Sequence, residues 1–397
     1  MDIGDTPEEV AFRAEARAWL LEHATPAGDH GENHDLADHV EKALAWQRVL
    51  HDNGWAGISW PEAFGGRGMR PIFQAIFNEE MATVDETLGP LTVALGMVAP
   101  TLMRHGSPEQ QQHIGAMLRG EQLWCQLFSE PNAGSDLAVL STRAELDGDE
   151  WVVNGQKVWT SLGQFAQWGI LLARTDPDVP KHQGITYFLV DMASPGIEVR
   201  PLVQMTGTAH FNETFLTDVR IPKENVVGEV GDGWSVARTT LTSERSSIAG
   251  GKTGWNVDLL IEAARIKGVA DDPVVRQGLA RAHTQATNLR TLGYRIRSAL
   301  SMGTTPGREM LIMKLAYARH WMETTDLAMQ ILGAEGMLAA DDEGLRAIWP
   351  FAFLNQYAVR LGGGTDEVQQ NIMAELGLGL PREPSADRGV PWKDLPR

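Results

Sequence analysis

The period of the apolar residues changes twice along this chain, and that double change restricts the fold more than any single motif. Up to about residue 122 the spacing is helical: Phe12, Ala16, Trp19 and Leu20 stand at i, i+4, i+7 and i+8, on one helix face. From Leu123 to about Val230 the period falls towards two, with β-branched and aromatic residues in TRAELDGDEWVVNGQKVW, GITYFLVDM, GIEVRPL and NETFLTDVRIP. Asp147-Gly148 and Asn154-Gly155 read there as turns. Beyond Gly233 the helical period returns, and Leu311, Leu315, Ala318, Met322 and Met329 keep the three-four spacing of a bundle helix. Helix, strand, helix in that order predicts an α+β chain. At roughly 150 residues per domain, 397 residues make two or three domains. The boundaries fall at 1–122, 123–232 and 233–397. The tail after Leu380, rich in Pro, Asp and Arg, is expected to be ordered only by a neighbour.

Composition removes several function classes. With 43% hydrophobic and 22% charged residues the chain is an ordinary globular one. No apolar run is long enough to span a bilayer. The start, MDIGDTPEEVAFRAEARAWL, is acidic and amphipathic and unlike a secretory signal, so a cytoplasmic protein is expected. Cys125 is the single cysteine, which excludes an internal disulfide. A net charge of −18 repels phosphate backbones and argues against a nucleic-acid partner, although a local pocket can still accept a small polyanion.

Several motifs have plain explanations. His30, His34 and His39 with Asp29, Glu32, Asp35 and Asp38 lie in a polar connecting segment that lacks the regular helix needed to aim imidazoles at one ion, so no metal is expected. AGGKTG at 249–254 has Ser246 where a phosphate-binding loop requires glycine, and no GxGxxG follows a strand. CQLFSEPNAGSDLA (125–138) differs: its small residues interrupt a strand, so that N–H groups and the hydroxyls of Ser129 and Ser135 can turn inwards together. An ordinary loop explains it equally well when taken alone. In GQKVWTSLG, Trp159 and Ser161 alternate on one strand face, which suits the edge of a flavin ring and equally a core position. LTSERSSIAGG places Glu244 and Arg245 at a helix start, and LGGGTDEVQQNIMAELGLGLPR sets three glycines before a helix.

Together and in this order the motifs resemble the acyl-CoA dehydrogenase family, and its actinobacterial-type members more than the mitochondrial ones. The match also takes in WPEAFGGRG, QMTGTAHFNETFLTDVRIP, VGEVGDGW and QILGAEGM, and so runs through nearly the whole chain. The resemblance implies an N-terminal α-helical domain, a β-barrel-like middle domain and a C-terminal four-helix bundle, with FAD between the last two. It implies that Phe128 and Ser129 face the flavin pyrimidine, that Ser135 lies near FAD and the CoA arm, and that Trp159 and Ser161 border flavin N5. Gln330 and Gly333 are expected to reach a neighbouring subunit's FAD, while Thr365 and Glu367 contact the adenosine half of their own. Arg276 is the nearest cation in the bundle stretch where many members carry an FAD-binding arginine, but the usual phenylalanine is missing.

Many members place the catalytic glutamate immediately before a Gly-Thr pair; Gly363 stands there, with Gly364 and Thr365 following. The family's other location precedes an arginine on the first bundle helix, where Glu244 and Arg245 occur. The resemblance thus implies Glu244 as the base, with Arg245, Gly363 and Gly364 at the substrate and the Gly363 N–H holding the thioester oxygen. A carboxylate is what removal of a weakly acidic α-proton needs. A base in this place goes with branched, long or bulky acyl groups. The expected product is the trans-2-enoyl-CoA, the electron acceptor an electron-transfer flavoprotein, and the assembly a homotetramer built as a dimer of dimers. A mixed heterotetramer whose full site needs a partner chain is the alternative, and an oxygen-using relative a third reading that Glu244 counts against.

Overall fold

The first helix shows how local chemistry sets the boundaries of these elements. Thr6 caps it by accepting the Glu9 N–H at 3.3 Å while Glu9 accepts the Thr6 N–H at 3.1 Å, and Pro7 opens the first turn. The structure, a computed structural model, describes residues 4–25, 35–84, 88–249, 257–338 and 345–395, without the side chains of 244–249 and 345–346. Among the described residues the helices are α1 (Pro7–His23), α2 (Leu36–Asp52), α3 (Pro71–Met81), α4 (Ala99–His105), α5 (Gln112–Leu118), α6 (Gly233–Ala249), α7 (Val257–Ile266), α8 (Pro273–Ser301), α9 (Glu309–Leu332), α10 (Leu345–Leu361) and α11 (Asp366–Ile372). The strands are β1 (Trp124–Leu127), β2 (Arg143–Asp147), β3 (Glu150–Ser161), β4 (Trp168–Arg174), β5 (Ile185–Asp191), β6 (Ile197–Leu202) and β7 (Phe211–Pro222). The chain is therefore α+β, with helical first and last parts and a curled sheet between them. No described helix is long and apolar enough to cross a membrane.

Two compact units emerge. The first contains residues 1–34, 68–86 and 245–382, the second 35–67, 87–244 and 383–397. In the first unit Phe12 meets Phe73 edge-on at 4.9 Å, and Ala16 and Leu20 are buried on the predicted face of α1. Arg13 and Arg17 bind the buried Glu80 at 2.8 Å each. Helices α7 to α10 share one core, which contains Leu260, Ala264, Ala282, Ile331 and Trp349. Leu315 and Ala318 are buried on α9 as their spacing predicts, but Lys314, His320, Thr324 and Thr325 are buried too.

In the second unit the strands form one seven-stranded sheet in the order β1-β4-β2-β3-β7-β6, with β5 on the free side of β4. β4 is buried on both faces: Ile170 and Leu172 join one core with Tyr187 and Leu189, while Leu171 and Ala173 join another with Phe188 and Val153. That explains its continuous apolar run.

Asp147-Gly148 is a hairpin turn, closing β2 onto β3 with Gly148 at φ 65°. Asn154-Gly155 is not. It lies inside β3, at a bulge between Val153 and Gly155, where Asn154 exchanges hydrogen bonds with Asp218, itself at φ 49°. Glycine is required by crowding, since a Cβ at 155 would sit 2.3 Å from Thr142 Oγ1. The LTSERSS stretch is likewise not a helix start, because α6 begins at Gly233 and Glu244 falls in its C-terminal part. The tail finds its neighbour within its own unit: the Trp392 N–H donates to Val179 O at 2.9 Å. Gly155→Ala should therefore destabilise the protein by about 1–3 kcal/mol, the usual range for overpacking, and lower the thermal midpoint measured by calorimetry.

Candidate active site

Two loops in the second unit are joined by a buried ion pair. Lys157 on β3 and Glu130 beyond β1 meet at 2.8 Å, with side chains 0% and 4% exposed. Glu130 also accepts the Ser141 N–H at 2.7 Å, the Ser141 hydroxyl at 2.9 Å and the Thr142 N–H at 2.9 Å. Lys157 donates a second time, to Phe128 O at 3.1 Å. Burial alone would raise the Glu130 carboxyl; the Lys157 ammonium and the hydrogen bonds from Thr142 and Ser141 outweigh it and hold the carboxyl down to about 2. One carboxylate thus fixes both ends of the 130–142 loop that carries Ser135.

Beyond Lys157 the strand bulges. The register with β7 shifts between Lys157 and Thr160, and Trp159 within the shift has φ 63°, a left-handed value that costs a non-glycine residue about 1–3 kcal/mol. Its surroundings impose this conformation: Val158 N–H donates to Ser129 O at 2.9 Å, Asn212 Nδ2 donates to Thr160 O at 2.9 Å, and Leu162 N–H donates to His210 O at 2.9 Å. The strain has a visible result. The Trp159 ring is 59% exposed, edge-on to Phe211 at 5.9 Å, in a sheet whose other large side chains are mostly inside. Burial alternates across this stretch, Val158 and Thr160 being buried, Trp159 exposed and Ser161 half-buried, although the bulge interrupts the regular pairing before Thr160.

Phe128 is buried and meets Tyr187 edge-on at 5.8 Å, so any part it plays at a ligand falls to its backbone. Ser129 and Ser161 are half-buried and Ser135 exposed; among the described residues their hydroxyls have no hydrogen-bond partner. An exposed aromatic plate beside free hydroxyl donors fits the flat, hydrogen-bonding ring of a flavin. The fit supports FAD as the group this part of the chain holds.

The first unit holds the other predicted residues. Gly363 and Gly364 have φ of 65° and 91°. Their carbonyls are tied, Gly363 O by Gln369 Nε2 at 2.8 Å and Gly364 O by the buried Lys314 Nζ at 2.6 Å. No described group accepts the Gly363 N–H. Thr365 caps α11, accepting the Val368 N–H at 3.3 Å. Glu367, exposed, has its carboxyl lowered by its own N–H and by the Thr365 hydroxyl. Gln330 and Gly333 are exposed around the end of α9, Gly333 at φ 58°. Arg276 is exposed in the first turn of α8 and pairs with Asp271 at 3.7 Å. No hydrogen bond or ion pair among the described residues joins these three to the glycine loop. The backbones of Glu244 and Arg245 are in α6, but their side chains lie outside the description, as do His30, His34 and 250–256. No described cluster of His, Cys, Asp and Glu is set for a metal.

Sequence reasoning passed over Glu130, Lys157, Lys314 and Gln369, which hold the segments that carry Ser135, Trp159, Gly363 and Gly364. The signal available was Lys157, the one charge within β3 beyond Glu150 at its start. Lys157→Met should leave Glu130 buried without its cation and cost about 3–5 kcal/mol, while adding Glu130→Gln should recover part of the loss. Because the folded carboxyl lies below its usual 4.5, its contribution is complete above that pH and is lost as pH falls towards about 2. Glu130→Gln should flatten that acid limb in thermal melts taken at successive pH values.

Comparison with known proteins identifies the family. The chain matches the acyl-CoA dehydrogenase N-terminal domain over residues 6–121, the middle domain over 125–219 and the C-terminal domain over 231–378. It is 40% identical over 383 residues to acyl-CoA dehydrogenase IpdE1 of Mycobacterium tuberculosis, covering 94% of this chain and 98% of that protein. Among solved structures it resembles the Tcur3481-Tcur3483 steroid ACAD, with a TM-score of 0.80 and 28% identity over 96% of this chain and all of the other. The ChsE4-ChsE5 complex of Mycobacterium tuberculosis is similar at a TM-score of 0.77 and 29% identity, with 96% of this chain and 100% of that one covered.

Proposed function

Because the chain belongs to the acyl-CoA dehydrogenase family and is an oxidoreductase of that kind, we propose that it converts a bulky acyl-CoA to the trans-2-enoyl-CoA, with Glu244 as the base. The three-part division at residues 122 and 232 is part of this reading. The observation that carries it is Trp159, a large ring held outside the sheet by a strained bulge and flanked by unengaged serine hydroxyls.

The work divides among the chain's own residues. Glu244 takes the α-proton. The Gly363 N–H, whose carbonyl is anchored and whose hydrogen has no described acceptor, donates to the thioester oxygen as negative charge grows there. Ser135 steadies the CoA arm, and Ser129, Trp159 and Ser161 hold the cofactor ring. FAD, when bound, accepts the β-hydrogen as hydride. Gln330, Gly333, Thr365, Glu367 and Arg276 complete its binding, and Arg245 and Gly364 the substrate's. Electrons leave to an electron-transfer flavoprotein, in the cytoplasm.

Bulk in the acyl group is supported by the steroid designation of the Tcur3481-Tcur3483 relative and by the placing of the base. ChsE4-ChsE5 is a complex of two differently named components and the Tcur3481-Tcur3483 name also joins two, which favours a mixed heterotetramer as the second reading beside a homotetramer.

Anaerobic titration of the purified protein with butanoyl-, 3-methylbutanoyl-, palmitoyl- and steroid side-chain acyl-CoA should bleach the flavin band with the steroid thioester. Bleaching by butanoyl-CoA alone would remove the bulky-substrate reading, and a colourless protein would favour the mixed assembly. Glu244→Gln should lower turnover at least about a hundredfold, the low end for a lost general base, with FAD retained; near-native turnover would refute the assignment. Trp159→Ala should lower the FAD remaining after dialysis, and unchanged occupancy would leave the ring without a cofactor role.

A further inference from the structure

The C-terminal segment 383–395 lies along the loop that follows Ser135 and grips it at three points. Trp392 Nε1 donates to Val139 O at 3.1 Å. The Trp392 ring stacks on the Arg174 guanidinium, 4.9 Å from its centre, and that guanidinium donates to Ala138 O at 2.6 Å and Leu140 O at 3.3 Å. Lys181 bridges Asp136 at 2.7 Å, the residue after Ser135, to Asp387 of the tail at 2.6 Å. The tail itself is anchored at its far end: Lys393 N–H donates to Pro177 O at 3.0 Å and its ammonium pairs with Asp178 at 2.6 Å.

The loop's side chains Leu137, Ala138 and Leu140 are packed in the core, while its carbonyls are engaged by Arg174 and the tail. Within 136–140 the described backbone bonds are Val139 N–H to Asp136 O and Leu140 N–H to Leu137 O, a single tight turn. Its carbonyls point to Arg174 and Trp392, and Arg174, only 3% exposed, is covered by the tryptophan. Burial brings the guanidinium down to about 10, with Glu130 opposing, so it is a cation at physiological pH and stays fixed where it gathers those carbonyls.

We propose that the C-terminal segment is a strap that positions the Ser135 loop for acyl-CoA, with Trp392 its principal positioning residue. The proposal rests on the assignment of Ser135 to the CoA arm. A strap of this kind acts on ground-state binding: loosening it lowers the fraction of loops in the binding conformation and raises KM without changing the chemical step.

The test compares wild-type holoenzyme, Trp392→Ala, Trp392→Phe and a chain ending at Arg382, using whichever of the four acyl-CoAs bleaches the flavin. Trp392→Ala and the truncated chain should raise KM about tenfold with kcat within about twofold, the effect of one or two lost hydrogen bonds. Trp392→Phe keeps a ring over Arg174 but loses the bond to Val139 O, and should fall between. Amide hydrogen exchange at Val139 and Leu140 should quicken about tenfold while the β4 amides stay protected. Unchanged KM together with unchanged exchange would overturn the proposal. So would a general loss of protection with lower kcat, which marks mere destabilisation. If the truncated chain does not fold, the two Trp392 variants decide. If no acyl-CoA bleaches the wild-type flavin, the dehydrogenase reading falls, and exchange at Val139 and Leu140 still judges the strap.

Discussion

A buried lysine and a buried glutamate, 2.8 Å apart, fix the loop and the strand that carry Ser135 and Trp159. Glu130 receives four hydrogen bonds, and through them the exit of β1, the beginning of β2 and the middle of β3 are held in one register. Two hydrophobic side chains of similar volume would give equal or greater stability in many proteins. They would not orient the N–H groups of Ser141 and Thr142, nor draw Phe128 O towards β3. The pair specifies geometry, and the geometry it specifies ends in Trp159, whose left-handed backbone persists only because bonds on both sides require it.

The same device recurs. Lys314 gathers Gly364 O and Arg360 O in the first unit, and Arg174 gathers the carbonyls of Ala138, Leu140 and Lys181 in the second. In each case a buried cation takes the acceptor side of a loop. A loop whose carbonyls are engaged inwards has its N–H side to offer, and Gly363 is an instance. In a chain of net charge −18, such local arrangements turn donors outwards against the repulsive average field, which is what the proposed polyanionic substrate requires.

Much of this was legible beforehand, for identifiable reasons. The change from period 3.6 to period 2 and back located the sheet, because residues on buried faces repeat whatever else the sequence does. Gly148 was readable as a turn since the hairpin left it no alternative. Asn154-Gly155 misled because the same dipeptide serves a bulge, and what decides is Thr142, thirteen residues before Gly155 and packed where a Cβ would go. Glu244 in LTSERSS looked like a helix start since small residues suit one, while the true start at Gly233 follows a strand exit. The tail's composition suggested order borrowed from a neighbour; its partners are Arg174, Val139 and Lys181 of its own chain, a long-range fact that local composition does not encode. The residues expected at a ligand came from family resemblance, whereas Glu130, Lys157 and Lys314, which hold their segments, were visible only in the structure.

The turn at Gly363 bears on where a carboxylate base can stand. A residue at φ 65° with its carbonyl tied to Gln369 is most easily a glycine. A glutamate there would place its carboxylate on a turn that resists side chains, and would have to be held in that strained conformation to act as a base. Glu244, the proposed base, stands on α6, a regular helix of seventeen residues, whereas Gly363 in its left-handed turn offers a backbone N–H with no described acceptor. In the proposed division of work the regular helix carries the carboxylate and the turn, free of any side chain, carries the donor, so that neither element has to supply what its backbone resists.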